Sequence, residues 1–292
     1  MSTPSGVLDT SSASPAPSTP SVSTKGAAGR APRSAYAAFF GRWAGSWLAL
    51  PFPLGLLLLW GVSAHFGWVA PQVLPSPLAV LHTFIDLAQS GELWDNLWIS
   101  LLRVLAGFGV GVLGGLLLGV AMGLSPLFKD YVYPFFKAFS QVPVLGWLPL
   151  LMLLVGIDEA LKIILIAKAA LVPIAVNTYK GIENVPARYV EVARVLQFSR
   201  WQLLWRVVFP AALPPVWNGV RYGFTHAWLA LVVVELLASS EGLGYMIVFG
   251  RQLFQLDVVI AAVAVVGVVG YLGDRVLARI EVVLLGWRRS GF

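Results

Sequence analysis

The chain has 292 residues, 58% of them hydrophobic and only 12% charged, about half the charged fraction of a soluble domain, so the composition describes a polytopic membrane protein. Its formal charge of +6 would suit nucleic acid, but the basic residues cluster beside apolar stretches in the positive-inside pattern, and no nucleic-acid partner is expected. With no cysteine, disulfides, thiol nucleophiles and thiolate metal sites are excluded.

Residues 1–45 are rich in Ser, Thr, Pro, Ala and Gly without apolar periodicity, and are expected to form a disordered cytoplasmic tail. No short apolar core stands near Met1, as a secretory signal would require, so the first span is expected to be an anchor that stays. The remainder, 46–292, is expected to be one all-α membrane domain. Six apolar stretches are long enough to cross a hydrocarbon core of about 30 Å: 47–66, 97–122, 132–155, 161–179, 209–237 and 257–287. With both termini cytoplasmic, fifteen of the twenty Lys and Arg residues fall on that side, while the opposite loops hold Arg251 and six carboxylates, which fixes the orientation.

In chain order, Leu74-Pro75-Ser76-Pro77 and Ser90-Gly91-Glu92-Leu93-Trp94 are expected in an outer loop that returns the chain to the membrane. The second span carries Gly107, Gly111, Gly115, Gly119 and Gly123, a ladder at every fourth residue that lets another helix approach backbone to backbone. A sliding seam and a static one are both compatible with it. Gly109, Gly111 and Gly114 also spell G-x-G-x-x-G, but no strand precedes them and the dinucleotide reading fails. Gln141-Val142-Pro143 interrupts the third span, and freed carbonyls at such a break need protein or a water-filled path beside them. Lys162 is expected to pair with Glu159 three residues earlier. Lys168 lies deeper, with Asn177 on the same helix; it attracts an anionic substrate, snorkels, or pairs with Glu235 of the fifth span. Arg221 is expected to snorkel, and His226 to be a hydrogen-bonded interior group. His65, His82 and His226 lie in separate spans or loops and are not expected to make a metal site, and no cofactor is expected.

Between the fourth and fifth spans, residues 186–215 break the membrane-like pattern. Tyr189, Val192, Ala193 and Leu196 fall at i, i+3, i+4 and i+7, one apolar stripe on a helix whose other side carries Arg188, Glu191 and Arg194. Ser199 and Gln202 have capping-box spacing. Phe209-Pro210-Ala211-Ala212-Leu213-Pro214-Pro215 is expected to stop one helix and start another at a set angle.

This segment resembles the cytoplasmic "EAA" loop of ABC importer permeases: Glu191-Val192-Ala193, then Phe209-Pro210-Ala211-Ala212-Leu213-Pro214. Val192 replaces an alanine and Gln197 stands where the family usually has glycine; a left-handed turn there would cost a non-glycine residue about 1 kcal/mol. Gly156-Ile157-Asp158-Glu159, Pro173 with Asn177 and Gly181, and Glu235 with Gly242-Leu243-Gly244 extend the likeness to the subfamily of permeases for taurine, nitrate and, most similar, aliphatic sulfonates. The resemblance implies a homodimer in the bacterial inner membrane, two ATPase subunits gripping the loop, and an extracytoplasmic substrate-binding protein. It implies a loop surface of Tyr189, Glu191, Val192, Ala193, Leu196, Gln197, Ser199, Pro210 and Pro214; within the spans, the break and the intramembrane polar groups make Gln141, Pro143, Lys168, Asn177, His226 and Glu235 the candidates for the path. The chain has no G-x-x-x-x-G-K-[ST] sequence, so ATP hydrolysis is assigned to a separate subunit. A secondary transporter would show paired broken repeats and a membrane enzyme a polar cluster; neither is seen.

Overall fold

The structure, a computed structural model, describes residues 51–70 and 72–288; the expected tail and the start of the first span lie outside them. The helices are α1 (Pro51–His65), α2 (Pro77–Ser90), α3 (Glu92–Leu124), α4 (Pro126–Gln141), α5 (Leu148–Val155), α6 (Glu159–Glu183), α7 (Ala187–Val195), α8 (Arg200–Leu203), α9 (Phe209–Ala238), α10 (Leu243–Gln252) and α11 (Leu256–Leu284). No strand occurs among the described residues.

The supposed outer loop before α3 is largely a helix. Ser76 accepts a hydrogen bond from the Ala79 amide at 3.2 Å, Pro77 occupies the first turn, and Gly91 in the left-handed region (φ 90°) ends α2 and admits α3. His82, Asp86 and Gln89 kept this amphipathic helix below the hydropathy of a span. It is tethered by Thr83, whose hydroxyl donates to Asp257 of α11 at 2.5 Å.

The centre of the fold is the seam between α3 and α6. A Cβ on Gly107 would sit 2.6 Å from Ile166 Cγ2, one on Gly111 2.6 Å from Ala170 Cβ, one on Gly115 2.8 Å from Ile174 Cβ, one on Gly119 2.5 Å from Thr178 Cβ and one on Gly123 2.8 Å from Ile182 Cβ. Both series ascend in steps of four, so α3 and α6 run parallel with their backbones nearly touching. On α9, Gly219 meets Asn177 and Gly223 meets Ile174, one series falling as the other rises; α9 is therefore antiparallel to α6. Gly270 and Gly273 of α11 close on Trp228 and Phe224 of α9, so α11 runs with α3 and α6. The seam yields a prediction. Gly111→Ala places its methyl 2.7 Å from the Ala167 carbonyl oxygen, a backbone atom that cannot turn aside, and is expected to cost about 1–3 kcal/mol. Gly109→Ala meets nothing within 4 Å and is expected to be neutral or stabilising by up to about 1 kcal/mol. Apparent melting temperatures of the two variants in detergent check the pair.

Outside this seam the helices present apolar side chains outward: Leu105, Leu113 and Leu117 of α3, Leu153 of α5, and Val276 and Val283 of α11 are exposed. Among the described residues, Glu92–Leu124, Arg200–Ala238 and Leu256–Leu284 are each long and apolar enough to cross a membrane. The expected third span is no straight rod. Its halves, α4 and the stretch from Val144 to Val155, meet at 94°, because Pro143 lacks an amide donor and Val142 and Pro143 are extended. Counted as one, that bent pair brings the number of candidate spans to four. α6 is continuous over 25 residues but carries Lys162 and Lys168, and α1 has 15 described residues.

The proline-rich element departs from expectation as well. It does not stop a helix: Arg200 to Ala238 is continuous, and Leu204–Val208 widens into a π-helical turn directly before α9. A π turn accommodates the ring and the missing donor of Pro210 without breaking the rod.

Candidate functional site

In the 186–215 segment, local hydrogen bonds hold two short helices while most of the apolar stripe stays exposed. Ala193 is 2% exposed, whereas Tyr189, Val192, Val195 and Leu196 are exposed; the apolar stripe of α7 is thus anchored at one residue and open at the others. The C-terminus of α7 closes as a Schellman motif, with the Phe198 amide donating to Ala193 O at 3.0 Å and the Gln197 amide to Arg194 O at 2.9 Å. That motif requires a left-handed residue, and Gln197 supplies it at φ 55°, the conformation for which glycine is favoured. A reciprocal capping box follows: Ser199 Oγ accepts from the Gln202 amide at 3.3 Å, and the Ser199 amide donates to Gln202 Oε1 at 2.9 Å. Between α7 and the start of α9 lies a groove of about 640 Å³ lined by Tyr189, Val192, Ala193, Leu196, Pro210 and Pro214, among others. Glu191, Gln197 and Ser199 stand outside its lining.

A second cavity, of about 410 Å³, opens at the break between α4 and α5. Pro143, Lys168, Asn177 and His226 all line it, so residues from three distant stretches converge. Lys168 does not pair with Glu235. Its ammonium donates to the Val142 carbonyl freed at the break and lies over the rings of Phe139 and Trp147, at 5.2 and 5.8 Å from their centroids. Asn177 Nδ2 donates to Pro173 O at 2.8 Å, and His226 Nδ1 donates to Tyr222 O at 2.8 Å. Gln141 is exposed at the break and outside the cavity lining.

Glu235 belongs elsewhere, in a buried ionic network whose hub, Arg103, was missed in the sequence. Arg103 forks onto Glu159 (Nε to Oε2 2.7 Å, Nη2 to Oε1 2.6 Å), and its Nη1 donates to Glu235 Oε1 at 3.0 Å, Ser239 Oγ at 3.1 Å and Glu241 O at 2.7 Å. Glu235 further accepts from Ser100 Oγ and the Gly244 amide, each at 2.9 Å, and Lys162 donates to Glu159 at 2.6 Å as expected. The Gly242 and Leu243 amides donate to Asn96 Oδ1 and Ser100 Oγ, so the N-terminus of α10 is bound to α3 and α9 by polar groups. Hydrogen bonding by the Arg103 guanidinium holds the Glu159 carboxyl down to about 2. The available signal was Arg103 itself, a lone ion inside an apolar stretch. Arg221 departs from the snorkelling expectation too: it ties α9 to α11 through Asp274 (2.8 Å) and Glu281 (2.9 Å).

An apolar-surfaced helical core, a cavity at a helix break and an exposed amphipathic segment together describe a multi-pass membrane protein. The chain belongs to the family described as binding-protein-dependent transport system inner membrane component, whose profile matches residues 111–282. It is 42% identical over 241 residues to a Bacillus subtilis (strain 168) protein named as an aliphatic sulfonates transport permease, SsuC, covering 82% of this chain and 87% of that one. Against the taurine transport system permease protein TauC of Escherichia coli (strain K12) the identity is 34%, over 80% of this chain and 86% of that one. Among solved structures, an amino acid ABC transporter crystallised with histidines shares the fold, with a TM-score of 0.55 at 16% identity over 68% of this chain and 97% of that one.

Proposed function

We propose that the chain is the membrane subunit of an ATP-driven importer of small organic anions, aliphatic sulfonates foremost. It works as a homodimer in the bacterial inner membrane, grips one ATPase subunit per copy through residues 186–215, and receives substrate from an extracytoplasmic binding protein. The observation that carries the proposal is the 186–215 segment, which serves as a lever: Val192 and Leu196 stay exposed on a segment locked by a Schellman motif and a capping box. A segment fixed so firmly with its apolar side open is suited to receive a partner and transmit its movement. ATP-driven closure of the two ATPases would pull the levers and rock the helices between inward- and outward-open states.

We read six crossings per subunit, a reading that the helix directions support. α3 and α6 run parallel, so the bent α4–α5 pair must return the chain between them; α9 is antiparallel to α6, and α11 parallel to it. With α1 as the first crossing, both termini and the lever lie on the cytoplasmic side. Trp94 and Trp98 near the start of α3, and Trp201 and Trp205 beside the start of α9, are exposed, in keeping with aromatic belts at the two lipid interfaces.

The substrate is supported by the SsuC likeness, while the TauC relative makes taurine the second reading for the same machine. The test is ATP hydrolysis by the chain reconstituted in liposomes with its ATPase and binding protein, challenged with alkanesulfonates, taurine, nitrate and an uncharged control. Stimulation strongest with alkanesulfonates is expected. Stimulation by taurine or nitrate alone would replace the substrate, and failure to associate with any ATPase would remove the importer reading.

A further inference from the structure

We propose that the cavity at the α4–α5 break binds an alkanesulfonate, with the sulfonate on Lys168 and the alkyl chain along Val172 and Val176. This rests on the anion-importer reading above and assigns that importer a substrate site of its own.

Three cations are buried among the described residues: Arg103, Lys162 and Lys168. Arg103 has Glu159 and Glu235, and Lys162 has Glu159. Of these three, Lys168 alone has no carboxylate, only the Val142 carbonyl and two aromatic faces. A carbonyl and ring faces orient an ammonium without neutralising it, so the cavity wall keeps a positive charge. In a low-dielectric setting that charge attracts an arriving anion far more strongly than it would in water.

The remaining wall selects the rest of the ligand. Lys168, Val172 and Val176 fall at i, i+4 and i+8 on α6, all lining the cavity, and at 1.5 Å per residue the valines extend about 12 Å from the lysine position. Val142 and Val144 line the cavity from the break. A cation beside an apolar strip fits an anionic head on an aliphatic tail. Nitrate has no tail to use the strip. Taurine would bring an ammonium into a cavity whose lining includes no carboxylate, where a charged group without a partner is costly to desolvate.

The experiment is equilibrium binding of radiolabelled pentanesulfonate and taurine to the permease–ATPase complex in lipid nanodiscs, without the binding protein. Pentanesulfonate is expected to bind at least tenfold more tightly than taurine, Lys168→Met to weaken it at least tenfold, and Lys168→Arg to retain it within about threefold. Val176→Asp adds a carboxylate about 12 Å along the strip, beyond the reach of taurine's two-carbon chain, and is expected to shift the preference from pentanesulfonate toward radiolabelled 5-aminopentanesulfonate by at least tenfold. Unchanged pentanesulfonate binding in a Lys168→Met complex that still assembles and hydrolyses ATP would overturn the site and leave the importer reading standing. If Lys168→Met fails to fold, an unchanged preference in Val176→Asp would overturn it equally. Absence of any ATPase complex with the parent chain would instead remove the importer reading and this site with it.

Discussion

Arg103→Met is expected to lower the apparent melting temperature in detergent by on the order of 10 °C, because breaking a buried ion pair from one side costs about 3–5 kcal/mol. Arg103 is 4% exposed and Glu235 1%, so the carboxylate left behind has no water to turn to. The same substitution strips the donors from Ser239 and the Glu241 carbonyl, and with them the turn leading into α10. Glu159 is the lesser loss. Its side chain is 55% exposed, and solvent screening holds such a pair to about 1 kcal/mol or less. The double variant Arg103→Met with Glu235→Gln is therefore expected to recover at least half of the loss, since a neutral amide oxygen still accepts from Ser100 and the Gly244 amide without requiring a countercharge. Thermal unfolding followed by tryptophan fluorescence tests both. A single variant melting within about 2 °C of the parent would show that the network is not what holds α10 to α3 and α9.

Local rules explain why some features could be foreseen. The stripe on α7, the capping box at Ser199 and the glycine ladder each depend on spacings of three or four residues within one helix, and those are written in the chain. The left-handed turn at Gln197 was suggested only by the family likeness, which usually has glycine there; the Schellman motif that requires it emerged from the structure. Partnerships across helices could not be foreseen. Which carboxylate meets Arg103, and whether Lys168 meets Glu235 or a backbone carbonyl, depends on the rotation of α3, α6 and α9 about their axes, which the close-packed seam sets. The proline element misled for a related reason. Pro210 forbids a regular hydrogen bond, but a π turn at Leu204–Val208 and a stop are both lawful answers to the same defect.

Val192→Glu and Leu196→Asp are each expected to weaken ATPase association by about 100-fold or more, some 2.7 kcal/mol, while leaving the membrane fold in place. At 58% and 61% exposure, these side chains contribute little to the packing of the lever, whose shape is fixed by Ala193, the Schellman motif and the capping box. In a docked complex they would be buried anchors, where truncation alone commonly costs 2 kcal/mol or more and an unpaired carboxylate adds a desolvation cost. Ala193→Asp is a poorer test, because a carboxylate at a position 2% exposed would disturb the lever itself. Glu191→Lys alters an exposed charge, so its effect is expected to fall mainly on association rate and to fade with added salt. ATPase copurification and coupled ATP hydrolysis supply the readout, with an unchanged melting temperature as the folding control. Full ATPase retention by both variants would mean that the open stripe of α7 is not the docking surface; retention by Glu191→Lys alone would place the binding energy in the apolar contacts rather than in the charge.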